Sequence, residues 1–137
     1  MSLKTIKKAC LIAFSNIIHL VAPTLPKLPV IPIQIERTLG IGIASVYGNG
    51  TDGFLGKLTA SGERLTSTML TVAHKTLPFG TILKIINLEN GKFVFAKVTD
   101  RGPYVAGRVL DLNSAVAKSL NIKGLTKIEY RTVEYAH

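Results

Sequence analysis

Residues Thr81–Thr99 read TILKIINLENGKFVFAKVT. Two β-branched, apolar runs, Thr81–Leu88 and Lys92–Thr99, flank Glu89-Asn90-Gly91. Asn-Gly between such runs is the strongest short-range hairpin signal. The same composition extends outward. Upstream, Ile41, Ile43 and Ser45 alternate with Gly42, Ala44 and Val46 and end at Tyr47-Gly48-Asn49-Gly50, a strand closing in a turn. Downstream, Arg108–Leu112 reads as a short strand and Lys127–Tyr135 (KIEYRTVEY) as an alternating one. Ser114–Leu120 (SAVAKSL) has helix composition, with Asn113 or Ser114 as the N-cap. Many short strands and one small helix predict a compact barrel.

The 137 residues suit one domain, and the N-terminal part reads differently from the rest. Lys4, Lys7 and Lys8 precede the mostly apolar Ala9–Ala22, the order of a basic n-region and an h-region in a secretory signal peptide. The apolar run is shorter than the roughly 20 residues of a membrane span. Leu20 fits a small-x-small cleavage site poorly, so residues 1–22 are expected to be a signal peptide or an uncleaved anchor that tethers the chain to a membrane. Cys10, the only cysteine, lacks the Leu-small-small run of a lipidated cysteine, so no lipid anchor is expected. Pro23, Pro26, Pro29 and Pro32 mark residues 23–39 as an extended tether, which leaves 40–137 for the domain.

The chain carries 17 basic and 8 acidic residues. Without the leader's three lysines the balance is 14 against 8, a net charge of +6. The charges are scattered, and no aromatic residues alternate with them. That argues against a nucleic-acid groove and for a cationic surface suited to anionic envelope polymers.

Chemistry-bearing residues cluster in two segments, Thr71–Thr81 and Thr99-Asp100-Arg101-Gly102-Pro103. Asp100 is placed either to bond backbone donors in a tight turn or to act as a general acid. Glu63, after Ser61-Gly62, projects from a loop. His74 is the one histidine outside the leader and the C-terminal residue, and it either pins its loop or bonds a carboxylate or sugar hydroxyl. A lone histidine without cysteine makes no metal site. Tyr47, Phe54, Phe79 and Tyr104 suit either core or a sugar-stacking groove; Tyr47 and Tyr104, beside glycine or proline turns, are expected to face the cleft. Asp111 alternates with apolar residues, a setting that suits satisfying backbone donors or pairing with Arg108. No Gly-x-Ser-x-Gly elbow and no phosphate-binding glycine loop is present.

These segments together resemble a known family. Ala44-Ser45-Val46-Tyr47-Gly48, Gly53-Phe54-Leu55-Gly56, Thr59-Ala60-Ser61-Gly62-Glu63, Ala73–Thr81, Asn90-Gly91, Thr99–Pro103 and Gly107–Leu112 occur in the order of the rare lipoprotein A family of bacterial lytic transglycosylases. The resemblance covers roughly Gly42–Leu120. It implies a mainly β fold, a six-stranded double-psi β-barrel with one or two short helices. It also implies endolytic cleavage of peptidoglycan glycan strands to 1,6-anhydro-muramyl ends, in the periplasm or cell envelope, by an exported enzyme expected to be a monomer without cofactor or metal. By the same resemblance Asp100 is the acid and then the base, Glu63 an auxiliary carboxylate beside it, and His74 an orienting or polarising group. Tyr47, Arg101, Tyr104 and Asp111 would contact substrate. For Asp100 to hold a proton near neutral pH it needs an apolar or anionic setting, and Arg101 must point away. Family members usually carry tryptophan where this chain has Val46, and longer ones add a peptidoglycan-binding repeat domain. The alternative reading is a non-catalytic glycan-binding module like the expansins that share this barrel.

Overall fold

The computed structural model describes residues 26–136, so the leader expected at 1–22 lies outside the described residues. Residues 26–32 carry no regular secondary structure. Six strands follow: β1 (Ile33–Tyr47), β2 (Thr71–Ala73), β3 (Ile82–Asn87), β4 (Phe93–Asp100), β5 (Arg108–Asn113) and β6 (Thr126–Ala136). One short helix, α1 (Ser114–Ser119), lies between β5 and β6. The strands close in the order β1-β5-β2-β4-β3-β6. The β1–β5 and β2–β4 pairs are parallel and the others antiparallel. The fold is the double-psi β-barrel that the motif order implied.

One boundary needs correction. The tether does not reach residue 39. Ile33–Leu39 already belong to β1, paired with the end of β6 from Ile33 opposite Ala136. The prolines stop at Pro32, and beyond it nothing withholds backbone N–H groups from a ladder. On this stretch Glu36 bonds Lys84 of β3 at 2.8 Å and Arg131 of β6 at 3.0 Å. Both cations hold its carboxyl below the ordinary carboxylate range. The sequence gives no sign of β2, three buried residues too short to show an alternation.

The expected β3–β4 hairpin is present, but Asn90-Gly91 is not a two-residue turn. Only Gly91 takes a positive φ, 74°. Asn90 serves instead through its side chain, which accepts from Lys92 N and donates to the Leu120 carbonyl, both near 3 Å. Asn87 Nδ2 donates to the same carbonyl at 3.0 Å, which ties the hairpin to the end of α1.

Alternation along the strands fills the barrel. Leu83 and Ile85 of β3, Ala96 and Val98 of β4, and Leu110 and Leu112 of β5 point inward with Ala44, Val72 and Ile128. Val116, Ala117 and Leu120 pack on the same cluster. Each fully buried Leu or Ile contributes about 1.5–3 kcal/mol. β1 ends where Gly48 takes φ 70°, and a Cβ there would lie 2.7 Å from Asn113 Oδ1, so only glycine fits.

Candidate active site

β2 sets the geometry of the site. Its last residue, Ala73, pairs with Asp100 of β4 on one side and with Asp111 of β5 on the other. One cavity of about 90 Å³ is lined by Tyr47, Phe54, Ala73, Asp100, Arg101 and Asp111. Two carboxylates thus converge on one hollow from residues eleven apart in sequence.

Each carboxylate is held by one oxygen. Asp100 Oδ1 accepts from Ala60 N at 3.1 Å and Arg101 N at 2.9 Å. Its Oδ2 has no hydrogen bond among the described residues and is left for a proton or a ligand. Asp111 Oδ1 accepts from the hydroxyl of Ser45, its neighbour across the β1–β5 pair. The pairing with Arg108 is not formed: three residues apart on β5, the two side chains point to opposite faces, and no Arg108–Asp111 bridge occurs among the described residues.

Tyr47 closes the wall, its ring edge-on to Phe54 with centroids 6.2 Å apart. Its hydroxyl is buried without a partner; the Thr71 and Thr99 hydroxyls lie beside it but do not meet hydrogen-bond geometry. Burial, and then the negative charges of Asp100 and Asp111, push the phenol up to about 12, so it stays a neutral donor. The Thr99 hydroxyl is likewise buried and unpartnered.

Arg101 turns away from Asp100. Its guanidinium donates to the Leu77 carbonyl at 2.8 Å and the His74 carbonyl at 3.3 Å, and it lies 3.9 Å from the centroid of the Phe79 ring. The carbonyls it needs are presented by His74. The His74 Nδ1 accepts from the N–H groups of Thr76 and Leu77 at 3.1 and 3.0 Å, which puts the ring proton on Nε2. His74 N also donates to the Asp100 carbonyl at 3.1 Å. The imidazole lines neither this cavity nor the next and, among the described residues, bonds no carboxylate: it braces the turn that holds Arg101.

Burial, then the charges of Arg101 and Lys75, hold the His74 imidazole below its ordinary value of 6.5. A histidine kept neutral in the fold but free to charge when unfolded makes stability rise with pH. That contribution is present above about pH 6.5 and is lost as pH falls toward the folded value. Thermal midpoints followed from about pH 7 downward are expected to show this decline. In His74→Asn, whose amide oxygen can replace Nδ1 as the acceptor, the decline is expected to disappear.

Glu63 does not line this cavity. It lies in a neighbouring cleft of about 230 Å³ lined by Ser61, Glu63, Phe79, Gly80, Lys97, Val98 and Thr99. Lys97 Nζ approaches Glu63 Oε1 to 2.7 Å, and Oε2 is buried without a partner. Tyr104 lines neither hollow and is 83 % exposed beyond Pro103. Sequence reasoning missed Ser45, Lys97 and the backbone of Ala60. Only Ser45 had a usable signal, its place two residues before Tyr47 on an alternating strand.

A family model described as lytic transglycolase matches residues 40–131. The chain is 50% identical over 88 residues to the probable endolytic peptidoglycan transglycosylase RlpA of Synechocystis, covering 64% of this chain and 26% of that protein. It is 44% identical over 96 residues to the endolytic peptidoglycan transglycosylase RlpA of Rickettsia felis, covering 69% and 41%. The Campylobacter jejuni protein of that name is 48% identical over 81 residues, covering 59% and 28%. The chain therefore spans about a quarter to two fifths of the length of these relatives. Among solved structures, apo-expansin of Clavibacter michiganensis superposes with a TM-score of 0.53 at 22% identity, covering 73% of this chain and 51% of that one, a likeness of fold.

Proposed function

The chain belongs to the lytic transglycolase family, and on that premise we propose that its barrel cleaves the glycan strands of peptidoglycan without water. Asp100 is the acid and then the base. Its Oδ2 protonates the glycosidic oxygen as the bond from C1 to that oxygen breaks. The muramyl C6 hydroxyl then attacks C1 and returns its proton to Asp100. The products are a new chain end on one side and a 1,6-anhydro ring on the other. One acid–base group suffices, whereas ordinary glycosidases divide the work between two carboxylates.

Asp111 faces the same cavity and stabilises the positive charge that develops on the sugar ring. Tyr47 donates its hydroxyl hydrogen to the bound sugar. Arg101, steadied by the His74 turn, forms part of the wall, and Tyr104 meets sugars outside the hollow. The reading rests on one observation above the rest: Asp100 and Asp111 share one cavity, with Asp100 Oδ2 unengaged. Work on peptidoglycan belongs to the cell envelope, with residues 1–22 as export signal or anchor and the proline-rich stretch to Pro32 as tether. The same names on relatives at 44–50% identity support this reading.

The test is incubation of the protein with peptide-free glycan strands, followed by mass spectrometry of the soluble fragments. Fragments ending in anhydro-muramic acid are expected. Pelleting on the strands without new ends would leave only the binding-module reading.

Tyr47→Phe separates a working hydroxyl from a structural one. Because that hydroxyl has no partner in the fold, its loss is expected to leave the thermal midpoint unchanged or slightly raised. Turnover is expected to fall about tenfold, the worth of one hydrogen bond to substrate. Equal loss of stability and activity would mean that the hydroxyl serves the fold.

A further inference from the structure

The β3–β4 turn and the connection from α1 to β6 meet at one end of the barrel. Leu88 N donates to the Lys127 carbonyl at 3.2 Å, and the Asn87 and Asn90 side chains both donate to the Leu120 carbonyl at 3.0 Å. Three large apolar side chains stand exposed on and beside these joined loops: Leu88 at 42 %, Phe93 at 55 % and Leu125 at 61 %. Single exposed apolar residues are ordinary, but three on adjoining turns form a patch. Phe93 is steadied in its exposed position. Lys84 Nζ lies 4.6 Å from its ring centroid, and the Phe95 ring meets it edge-on with centroids 5.9 Å apart.

Exposed lysines surround the patch. Lys92 precedes Phe93, Lys123 and Lys127 flank Leu125, and Lys118 lies in the last turn of α1. Glu89 is the one acid on these two loops. Glu129, further along β6, is bonded to Arg131. Each lysine can lay its aliphatic stem against apolar surroundings and keep its ammonium in water. Apolar tips inside a ring of cations match the two layers of a bilayer surface, acyl chains within and anionic headgroups outside. A hydrated polyanion would pair with the lysines but offer nothing to Leu88, Phe93 and Leu125. A protein partner fits less well, since lysine is depleted from protein interfaces.

We propose that this end of the barrel docks on an anionic lipid surface, with Leu88, Phe93 and Leu125 inserted and the lysines at the headgroups. Docking does not depend on the reaction proposed above, but it sets where the Asp100 cavity stands relative to the membrane. β4 is eight residues long, so about 23 Å of strand separates Phe93 from Asp100 at its other end. Side chains buried about 5–10 Å into the interface therefore leave Asp100 outside the lipid.

The chain has no tryptophan, so a single introduced one reports its own surroundings. Phe93→Trp and, just beyond Asp100, Tyr104→Trp are each mixed as full chains with vesicles of bromine-labelled phosphatidylcholine and about 30 % phosphatidylglycerol. The emission of Phe93→Trp is expected to shift to the blue and to be quenched by bromine, and that of Tyr104→Trp to do neither. Leu125→Trp, at a second exposed position, should repeat the result of Phe93→Trp. Lys92→Gln and Lys123→Gln, added to Phe93→Trp, should each raise the lipid concentration for half-maximal quenching about fivefold. Vesicles without phosphatidylglycerol should quench weakly. The proposal is overturned if neither Phe93→Trp nor Leu125→Trp is quenched. Equal quenching of Phe93→Trp and Tyr104→Trp also overturns it, since the barrel would then be carried to the lipid by another part of the chain. A blue shift that grows with protein concentration in the absence of vesicles would assign the patch to a second copy. A shift with soluble polyphosphate but not with vesicles would assign it to a polyanion, and either result sinks the lipid surface.

Discussion

Asp100→Asn is expected to fold like the wild type and to lose nearly all cleavage of glycan strands. The amide keeps an oxygen where Asp100 Oδ1 accepts from Ala60 N and Arg101 N, so the loop remains tied to β4. What it cannot do is give up a proton from the position of Oδ2 and take one back. General acid–base catalysis by one group contributes about 10²–10⁴-fold, and here a single group performs both transfers, so a loss in the upper part of that range is expected. The comparison is turnover on peptide-free strands alongside thermal midpoints, with affinity for the strands retained. A variant that keeps even a third of wild-type turnover would remove Asp100 from the chemistry. Asp111→Asn tests the complementary role: slower turnover with intact binding, since Ser45 can still bond the amide oxygen.

The largest loss of stability is expected at Asn113, a fully buried residue that joins three parts of the barrel. Its Nδ2 donates to the carbonyls of Thr66 and Met69 at 2.9 and 2.8 Å, which fastens the long β1–β2 connection to β5. Its Oδ1 accepts from Ser114 N at 2.8 Å as the cap of α1. A lost cap costs about 1 kcal/mol, and each lost hydrogen bond about as much again. Asn113→Ala should therefore destabilise by about 3 kcal/mol, a large share of a typical domain's 5–15, and lower the thermal midpoint by more than about 10 °C. Asn113→Asp tells which end of the side chain matters. Aspartate caps as well as asparagine. However, it sets a charged oxygen against two carbonyls, so it should be no better than alanine. Recovery by aspartate would reduce the role of Asn113 to capping. Because this residue also steadies the segment leading into β2, its loss should loosen the placement of Ala73 between the two carboxylates.

Much of this architecture was legible because the barrel is built from patterns that single residues reveal. The β3–β4 pair was marked by two apolar runs about Asn-Gly, α1 by SAVAKSL behind Asn113, and β6 by the alternation of KIEY at its start. Ile33–Leu39 also alternate, but four prolines in the preceding ten residues coloured the reading, and the tether was drawn too far. β2 carried no pattern, since a three-residue strand buried on both faces has no alternation to show. That strand is what gathers Asp100 and Asp111, so the pairing across it was invisible in sequence.

Side-chain direction was the other hidden quantity. Glu63 lies in a loop and Asp100 at the end of β4, both within one motif set, yet Lys97, three residues before Asp100, draws Glu63 toward the neighbouring cleft. Arg101 adjoins Asp100 in sequence, and only the carbonyls presented by the His74 turn and the ring of Phe79 determine that it points elsewhere. Spacing could suggest which residues meet, but not which partner wins.

The central claim is that a hydroxyl of the sugar itself, rather than water, closes the reaction. Cleavage of peptide-free glycan strands in water enriched in oxygen-18, read by mass spectrometry, tests it most directly. The account predicts fragments about 20 mass units lighter than ones hydrolysed in the same heavy water, with no heavy oxygen at the new anhydro-muramyl end. Reducing ends that carry the heavy oxygen would contradict it and make the protein a hydrolase.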